Sequence, residues 1–123
     1  MSSTISPTTT IPSQKKGADL SYIWLYIDEN VTIAVKNDSN VPVGEDFIQQ
    51  SLKQFLFPKP PSGKYEIILS VLKQQEYKLK VLLYDREGNH KTSSFSGILK
   101  PNSNIIYKVG FDKENSANSY IKQ

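Results

Sequence analysis

The sequence predicts a mainly β protein, an antiparallel two-layer β-sandwich, and three observations support this fold class. Segments in which apolar and polar residues alternate recur along the chain, as they do in half-buried strands. Clusters of Asn, Asp, Gly and Pro separate these segments and are typical of tight turns. No series of helices alternates with the strands, so a parallel sheet with helical crossovers is not expected. The alternative is an α+β fold, in which one helix crosses a single curved antiparallel sheet.

Length and composition indicate one domain between two polar ends. The 123 residues suffice for a single domain, which we place at residues 19–112. Residues 1–18 are rich in Ser, Thr and Pro and lack apolar periodicity, which predicts a flexible N-terminal arm. Residues 113–123 are polar and predict a frayed C-terminal tail.

The cellular compartment is predicted from two negative observations. The first residues contain no apolar stretch behind a basic start, so no secretory signal is recognisable. No apolar run approaches the roughly 20 residues that span a bilayer, so no membrane span is expected. A cytosolic or virion-associated location is therefore favoured, and an exported mature form is the alternative. Only in an exported chain would the sequons at Asn30 and Asn37 be available for glycosylation.

The first two strands are predicted at residues 21–27 and 31–36, and the short acidic turn between them predicts a hairpin. The second strand alternates cleanly and is expected to be half-buried. The first strand is unusual because both of its faces are apolar. One face would carry Tyr22, Trp24 and Tyr26, and the other Ile23, Leu25 and Ile27. Such a strand usually lies in a sheet that is covered on both sides, or at an interface.

Residues 45–57 are the ambiguous segment of the chain. Apolar residues recur there at helical spacing, Glu45 and Asp46 would occupy a first turn, and Pro58 would end a helix. A strand would instead carry bulky apolar side chains on both of its faces. We therefore expect a short helix over residues 46–56.

The second half of the chain is predicted to be almost entirely strand. One-sided apolar alternation predicts strands over residues 64–73, 76–84 and 105–111, and a weaker strand is predicted over residues 91–97. The loop of residues 85–90 contains Gly88, which can adopt the positive φ of a hairpin turn. The segment 91–97 is rich in Ser and Thr and carries Phe95 as its one large apolar side chain, which is typical of an edge strand.

Two sets of turn motifs resemble those of known sandwich modules. The polar cluster of residues 36–43, followed by the strand entry Pro61-Ser62-Gly63-Lys64-Tyr65, resembles transthyretin-like and carboxypeptidase-regulatory-like modules. The closing segments, residues 99–102 and 107–109, are similar to the last strands of immunoglobulin-like modules. The resemblance covers about half of the chain and implies binding, adhesion or structural roles more often than catalysis. No functional residue carries over, and the Cys-Trp-Cys core of antibody domains is missing.

Few residues of the chain could carry catalysis or bind a metal. The chain has no cysteine, and His90 is its only histidine. A thiolate metal site and a cysteine nucleophile are therefore excluded, and a Ser-His-Asp site would depend on one ring in a polar loop. No glycine-rich phosphate loop and no nucleophile elbow occurs. We predict no enzyme activity, no catalytic residue, no bound metal and no cofactor.

Positive charge is concentrated in residues 62–123, which hold ten Lys and Arg against six Asp and Glu. Lys78, Lys80 and Lys108 form the candidate basic face, and aromatic residues lie between them in the sequence. Basic residues among aromatics can bind single-stranded nucleic acid. Strand alternation, however, turns these lysines away from the neighbouring tyrosines, and the net charge of +3 is low for such a protein. We expect a solvated lysine face, with nucleic acid as at most a weak partner.

Tyr22, Trp24 and Tyr26 form the candidate interface. They could pack into the core, cover a subunit interface or stack on a carbohydrate. The predicted function is a non-enzymatic structural or protein-binding module, a subunit of a larger assembly such as a virion, an appendage or a surface structure. The expected partner is accordingly a protein, either a second copy or another subunit. The alternatives are a carbohydrate-binding module and a weak single-stranded nucleic-acid-binding protein.

Overall fold

The structure, a computed structural model, describes residues 18–123 and consists of two antiparallel sheets packed against each other. This architecture confirms the predicted β-sandwich. The predicted N-terminal arm, apart from Ala18, lies outside the described residues. The strands are β1 (Tyr22–Asp28), β2 (Thr32–Asn37), β3 (Glu45–Gln49), β4 (Leu52–Pro58), β5 (Gly63–Ser70), β6 (Gln75–Tyr84), β7 (His90–Leu99), β8 (Ile105–Phe111) and β9 (Tyr120–Lys122).

The strand order places β1 at the centre of the larger sheet. That sheet has five strands in the order β3-β4-β1-β6-β7, and the smaller sheet has four in the order β2-β5-β8-β9. Neighbouring strands are antiparallel throughout both sheets. Among residues 18–123, no helix is long and apolar enough to cross a membrane.

The core lies between the sheets and is built from the inward side chains of both. The largest of its fully buried side chains are Tyr107, Ile23, Leu25, Ile27, Ile67, Leu69, Leu79, Leu83 and Leu99. The hydroxyls of Tyr77 and Tyr107 hydrogen-bond each other at 2.6 Å, so neither buried hydroxyl is left without a partner. Burial, together with this bond, raises the pKa of Tyr107 well above its usual value, and the hydroxyl stays protonated.

The first two strands do not form the predicted hairpin. β1 pairs with β4 on one side and β6 on the other, whereas β2 pairs with β5 in the other sheet. The turn between them, in which the Val31 N–H donates to the Asp28 carbonyl at 3.1 Å, carries the chain across the sandwich. Because both edges of β1 are occupied, β2 has no free edge of β1 beside which to pair. Crossing to the other sheet also lets the apolar faces of both strands enter one core.

The predicted helix over residues 46–56 is wrong, because this segment forms the hairpin of β3 and β4. Gln50 and Ser51 form its two-residue turn, and both have the positive φ that such turns use, 53° and 64°. β4 then pairs with β1 along its whole length, from Leu52 opposite Asp28 to Pro58 opposite Tyr22. One apolar face of β4 contacts the core, and the other lies on the outer side of the sheet. Tertiary pairing therefore prevailed over the local helical spacing.

The approach to β3 depends on a glycine. Gly44 has a φ of 75°, and its backbone lies against the ring of Phe55, where a β-carbon would clash. Glycine is the one residue that tolerates both conditions easily. Phe55 lies opposite Leu25 and is buried in the core. Gly44 thus lets the chain approach the core closely before β3 begins.

The C-terminal residues belong to the domain and do not form the polar tail expected from the sequence. β9 pairs with β8, so the fold continues to Lys122 rather than ending at residue 112. Tyr120 packs over Gly110, where the absence of a β-carbon leaves room for the ring. The buried Ser119 hydroxyl accepts the N–H of Asp112 at 2.8 Å. These polar residues are held by hydrogen bonds, which an apolar pattern does not reveal.

A buried carboxylate connects this C-terminal segment to the β6–β7 loop. Asp85 is 3% exposed. It accepts bonds at 3.0 Å from the backbone N–H groups of Glu87, Asn89 and Ser116. Burial alone would raise the pKa of Asp85, but these bonds to the ionised form outweigh it and hold the pKa below its ordinary value. The ionised carboxylate therefore helps to hold the C-terminal segment on the sandwich.

We expect Asp85→Asn to lower the free energy of unfolding by about 1–3 kcal/mol near neutral pH, because an amide replaces the ionised acceptor of three backbone N–H groups. The carboxylate's contribution is present above the unfolded-state pKa of about 3.9 and is lost as the pH falls through the lower folded-state pKa. Urea unfolding at neutral and at acid pH measures both effects. A difference between the two proteins that does not shrink in acid would contradict this role.

Candidate functional site

The most distinctive surface in the described part of the chain is the outer face of the five-stranded sheet. Strand alternation turns every second side chain of β1 to the core and the others to this outer side. We call the apolar part of this surface the aromatic face; it consists of Tyr22, Trp24, Tyr26, Leu56, Leu82 and Tyr84. The three residues of the predicted candidate interface therefore lie together and outside the core.

The strand register groups these side chains around Trp24. Trp24 lies directly opposite Leu56 of β4 and Leu82 of β6, at the middle of the central strand. On the same side of the sheet, Tyr22 lies opposite Tyr84. Side chains that lie directly opposite each other are close enough to interact. An apolar strip therefore crosses the three inner strands of the sheet.

The three aromatic rings of β1 pack against one another. Trp24 and Tyr26 stack, with ring centroids 5.7 Å apart and an interplanar angle of 22°. Tyr22 and Trp24 are 6.3 Å apart at an angle of 47°. The indole Nε1 of Trp24 donates to Oε1 of Gln54 at 3.2 Å, which helps to orient the ring. Each of these ring contacts covers part of an aromatic side chain that would otherwise be open to solvent.

The aromatic face remains partly open to solvent. Tyr22 is 36% exposed, and Trp24 and Tyr26 are half-buried by their neighbours. Phe47 of β3, opposite Gln54, is 42% exposed and extends the apolar area toward one edge of the sheet. The result is a continuous and mostly apolar surface whose side chains support one another.

Charged residues border the aromatic face on opposite sides. Glu45 of β3 lies opposite Leu56 at one side of the sheet. Lys80 of β6 lies toward the other side. His90, the first residue of β7, is exposed, and its ring stacks on Tyr84 with centroids 4.7 Å apart. The surface therefore carries Glu45 on its β3 side and Lys80 on its β6 side, with the imidazole of His90 at the start of β7.

A shallow depression of about 480 Å³ adjoins the aromatic face on its β6 and β7 side. Its charge is mixed, and its lining includes Tyr26, Asp28, Lys78, Lys80, Ser94 and Ser96 of strands β1, β6 and β7. The depression could accept side chains of a partner that covers the rings of β1.

The three lysines of the candidate basic face do not share a surface. Lys78 and Lys80 of β6 lie on the outer side of the five-stranded sheet. Lys108 lies in β8, on the outer side of the four-stranded sheet. The core separates the two positions, so these three residues cannot contact one ligand together.

Lys108 belongs to a different patch, which the sequence did not reveal. It lies directly opposite Lys122 of β9, and both line a depression of about 470 Å³ together with Lys64 and Tyr120. Glu66 also lines this depression, so its charge is mixed. The patch could not be predicted because residues 113–123 were expected to be a tail.

The groups that could carry catalysis are not brought together in residues 18–123. No three His, Cys, Asp or Glu side chains of this part of the chain are arranged to hold a metal ion. The single histidine stacks on Tyr84, and both carboxylate oxygens of Asp85 accept backbone N–H bonds. The observed contacts of these two side chains are therefore structural.

Comparison with protein families, with characterised proteins and with solved structures gives no significant match for this chain. The predicted likeness to transthyretin-like and immunoglobulin-like modules therefore gains no support beyond the shared sandwich architecture.

Sequence reasoning identified the aromatic residues of β1 but not the side chains that flank them. Leu56 falls in the predicted helix, and Leu82 and Tyr84 fall on the side of β6 that was expected to be solvated. The sequence contains a signal for the two β6 residues, because alternate positions along that side of β6 are lysines up to Lys80 and large apolar residues from Leu82 onward. The cross-strand register brings these residues beside Trp24, and register is a long-range property.

Trp24 and Leu25 are neighbours in the chain on opposite sides of β1, so truncating each of them to alanine tests this placement. Leu25→Ala should lower the free energy of unfolding by about 2–5 kcal/mol, because it leaves a cavity in the core. Trp24→Ala should cost about 1 kcal/mol, the size of a cross-strand aromatic contact. Urea unfolding of dilute protein measures both values. A larger loss for Trp24→Ala than for Leu25→Ala would contradict the outward position of Trp24.

Proposed function

We propose that this chain is a non-enzymatic, protein-binding β-sandwich module that acts as a subunit of a larger assembly, with a second copy of the chain covering its aromatic face. The observation that carries the proposal is the position of Trp24, the only tryptophan, outside the core at the middle of the larger sheet. Leucines flank it on both neighbouring strands.

An apolar strip across the outer side of a sheet favours contact with another protein. The outward side of a half-exposed antiparallel sheet normally carries polar residues. Tryptophan and tyrosine dominate the binding energy of interfaces when they lie at the centre of the contact. The rings of Tyr22, Trp24 and Tyr26 already pack against one another, with Trp24 and Tyr26 stacked. Little further side-chain entropy would therefore be lost when a partner covers them.

The layout of charges suits a second copy as the partner. Because β1 is the middle strand, a two-fold axis parallel to β1 would lay β3 of one copy over β7 of the other. Glu45 would then lie over Thr92 of the other copy, and Lys80 would lie over Gln54, so neither would meet a charge of its own sign. The outward residues of β1 would meet their own copies, with Trp24 at the middle of the contact and Asp28 at its end.

The size of the surface is sufficient for such a contact. Five strands at ordinary spacing, along the length of β1, enclose about 500 Å² on each copy. Two copies would bury about 1,000 Å² in total, near the lower end of specific protein interfaces. Reversible association that depends on protein concentration is therefore expected.

The carbohydrate alternative has less support. A sugar ring binds by laying its C–H groups flat on an open aromatic face. In this chain the faces of Trp24 and Tyr26 are turned toward each other, at 5.7 Å and 22°. Rings stacked in this way suit the irregular side chains of a protein surface better than a flat sugar.

The nucleic-acid alternative also has less support, because Lys78 and Lys80 lie on one sheet and Lys108 on the other.

The kind of assembly, whether a virion, an appendage or a surface structure, belongs to the proposal and has no independent support. The resemblance of the turns to immunoglobulin-like modules, which often serve adhesion, is consistent with a binding role and stays a prediction.

Replacing one leucine of the aromatic face with lysine tests the proposal. Leu82→Lys introduces a charge beside Trp24 and should raise the Kd of self-association by about tenfold, because burying an unpaired charge is costly. Leu82 points outward, so the fold should persist. Ile106→Lys is the matched control, since Ile106 is 40% exposed on the outer side of the other sheet. Light scattering after size exclusion, over a range of concentrations, measures association.

Trp24 provides a second readout of the same contact. Quenching of its fluorescence by acrylamide should decrease as the protein concentration rises, and this decrease should be absent in Leu82→Lys. A wild-type chain that stays monomeric at every concentration would argue against the proposal, as would equal loss of association in both variants. A change in Trp24 emission on titration with glycans, without self-association, would favour the carbohydrate alternative.

A further inference from the structure

A second surface suited to association is the free edge of β7. Within residues 18–123, β7 has only β6 as a strand neighbour, which confirms its prediction as an edge strand. The two strands pair in continuous register from Gln75 opposite Leu99 to Tyr84 opposite His90, without a bulge. The far side of the β7 backbone therefore presents a straight row of N–H and C=O groups that no other described strand uses.

The other three sheet edges each carry a feature that discourages strand pairing. β3 is five residues long and begins with two acids, Glu45 and Asp46. β9 is three residues long and ends in Lys122. The chain that follows β2 folds back beside it and places Pro42 at that edge. Short length, charge and proline are the usual ways in which proteins keep sheet edges from pairing.

β7 is protected at only one of its ends. At its start, Nζ of Lys91 donates to the carbonyl of Ser119 at 2.9 Å, and the 3₁₀ turn Ser116–Asn118 packs nearby. From Thr92 to Leu99 the strand contains no charged residue, no proline and no bulge. An edge of this length and composition is a template for another strand.

We infer that β7 pairs antiparallel with β7 of a second copy, so that two five-stranded sheets become one continuous sheet. In a continuous sheet, residues that lie opposite each other point to the same side, and side chains of β7 alternate between the two sides. The two-fold axis, which is perpendicular to the sheet, therefore has to pass beside one residue of β7 and its copy, and not between two successive residues. An axis at Phe95 pairs residues 92–98 of the two copies, which is all but the last residue of the unprotected segment. It pairs Phe95 with its own copy, Ser94 with Ser96, and Thr92 with Ile98.

This register is chemically compatible along its length, which favours a second copy over a foreign strand. Phe95 is half-buried, with its ring centroid 4.5 Å from that of Tyr107, so a facing Phe95 would extend the core across the junction. Ile98, which is 54% exposed, would be covered by the partner strand. Lys91 would lie opposite the apolar Leu99, so no charges of the same sign would meet.

The edge contact does not depend on the aromatic face. Its hydrogen bonds lie in the plane of the sheet, whereas a partner on the aromatic face approaches at right angles to that plane. One chain can therefore make both contacts at once. A chain with two different two-fold contacts can grow beyond a dimer, which is the property that a subunit of an assembly needs.

Two lysine substitutions separate the contacts. Ser93→Lys puts a charge on the core side of β7, away from the aromatic face and opposite Gly97 of the other copy, and should raise the Kd of the edge contact by about tenfold. Ser103→Lys, in the exposed turn before β8, is the matched control. By light scattering, the wild type should be larger than a dimer. Leu82→Lys and Ser93→Lys should each form a dimer, the double variant a monomer, and the control should match the wild type.

Hydrogen exchange assigns the contact to β7. In the Leu82→Lys protein, alternate amides between Thr92 and Leu99 should become protected as concentration rises, because only alternate N–H groups point toward the open edge. In the Ser93→Lys protein these amides should exchange freely, while Trp24 stays shielded from acrylamide by the remaining contact.

The outcomes distinguish the two proposals. A wild type that forms only a dimer, together with a monomeric Leu82→Lys protein, overturns the edge contact and supports the aromatic face. Association that survives Leu82→Lys but not Ser93→Lys supports the edge contact and counts against the aromatic face. A Leu82→Lys dimer whose β7 amides exchange as in the monomer also overturns the edge contact, and would leave the edge to a strand of a different protein.

Discussion

Pairing along both edges of β1 is the constraint on which the rest of this sandwich depends. Hydrogen bonds to β4 and β6 occupy both sides of its backbone, so its side chains can point only to the core or to the opposite face. Ile23, Leu25 and Ile27 enter the core, where their exposure is 0–1%. Trp24 and Tyr26 then have no way into the core. The apolar outer surface is therefore a direct consequence of the position of one strand.

The same central strand explains where the neighbouring segments lie. β2 crosses to the other sheet because no edge of β1 is free, and residues 46–56 form a hairpin because β4 completes one of those edges. The far end of the chain closes the smaller sheet through β9, and the buried carboxylate of Asp85 holds the connecting segment in place. Strand pairing and a few buried polar bonds, rather than core volume alone, determine the path of the chain.

The two proposed contact surfaces differ in physical kind. The aromatic face would bind through burial of apolar area, with charge on either side guiding the partner. The β7 edge would bind through backbone hydrogen bonds, and its register would be set by the alternation of side chains and by Phe95. The lysines Lys78 and Lys80 border the aromatic face, while Lys108 lies across the sandwich, so the positive charge of the chain is spread over both sheets.

Alternation along the chain was enough to predict the sandwich, most of the core, the edge position of β7 and Tyr22, Trp24 and Tyr26 as a group. Burial of one strand face imposes a period of two, and this period is visible in the order of residues. The β3–β4 hairpin was not predictable, because its apolar positions also match helical spacing and the choice is made by pairing with β1. The leucines beside Trp24, the separation of the lysines and the strand β9 depend likewise on the register between distant segments. Tertiary structure settled these points because strand pairing joins residues that no local pattern connects.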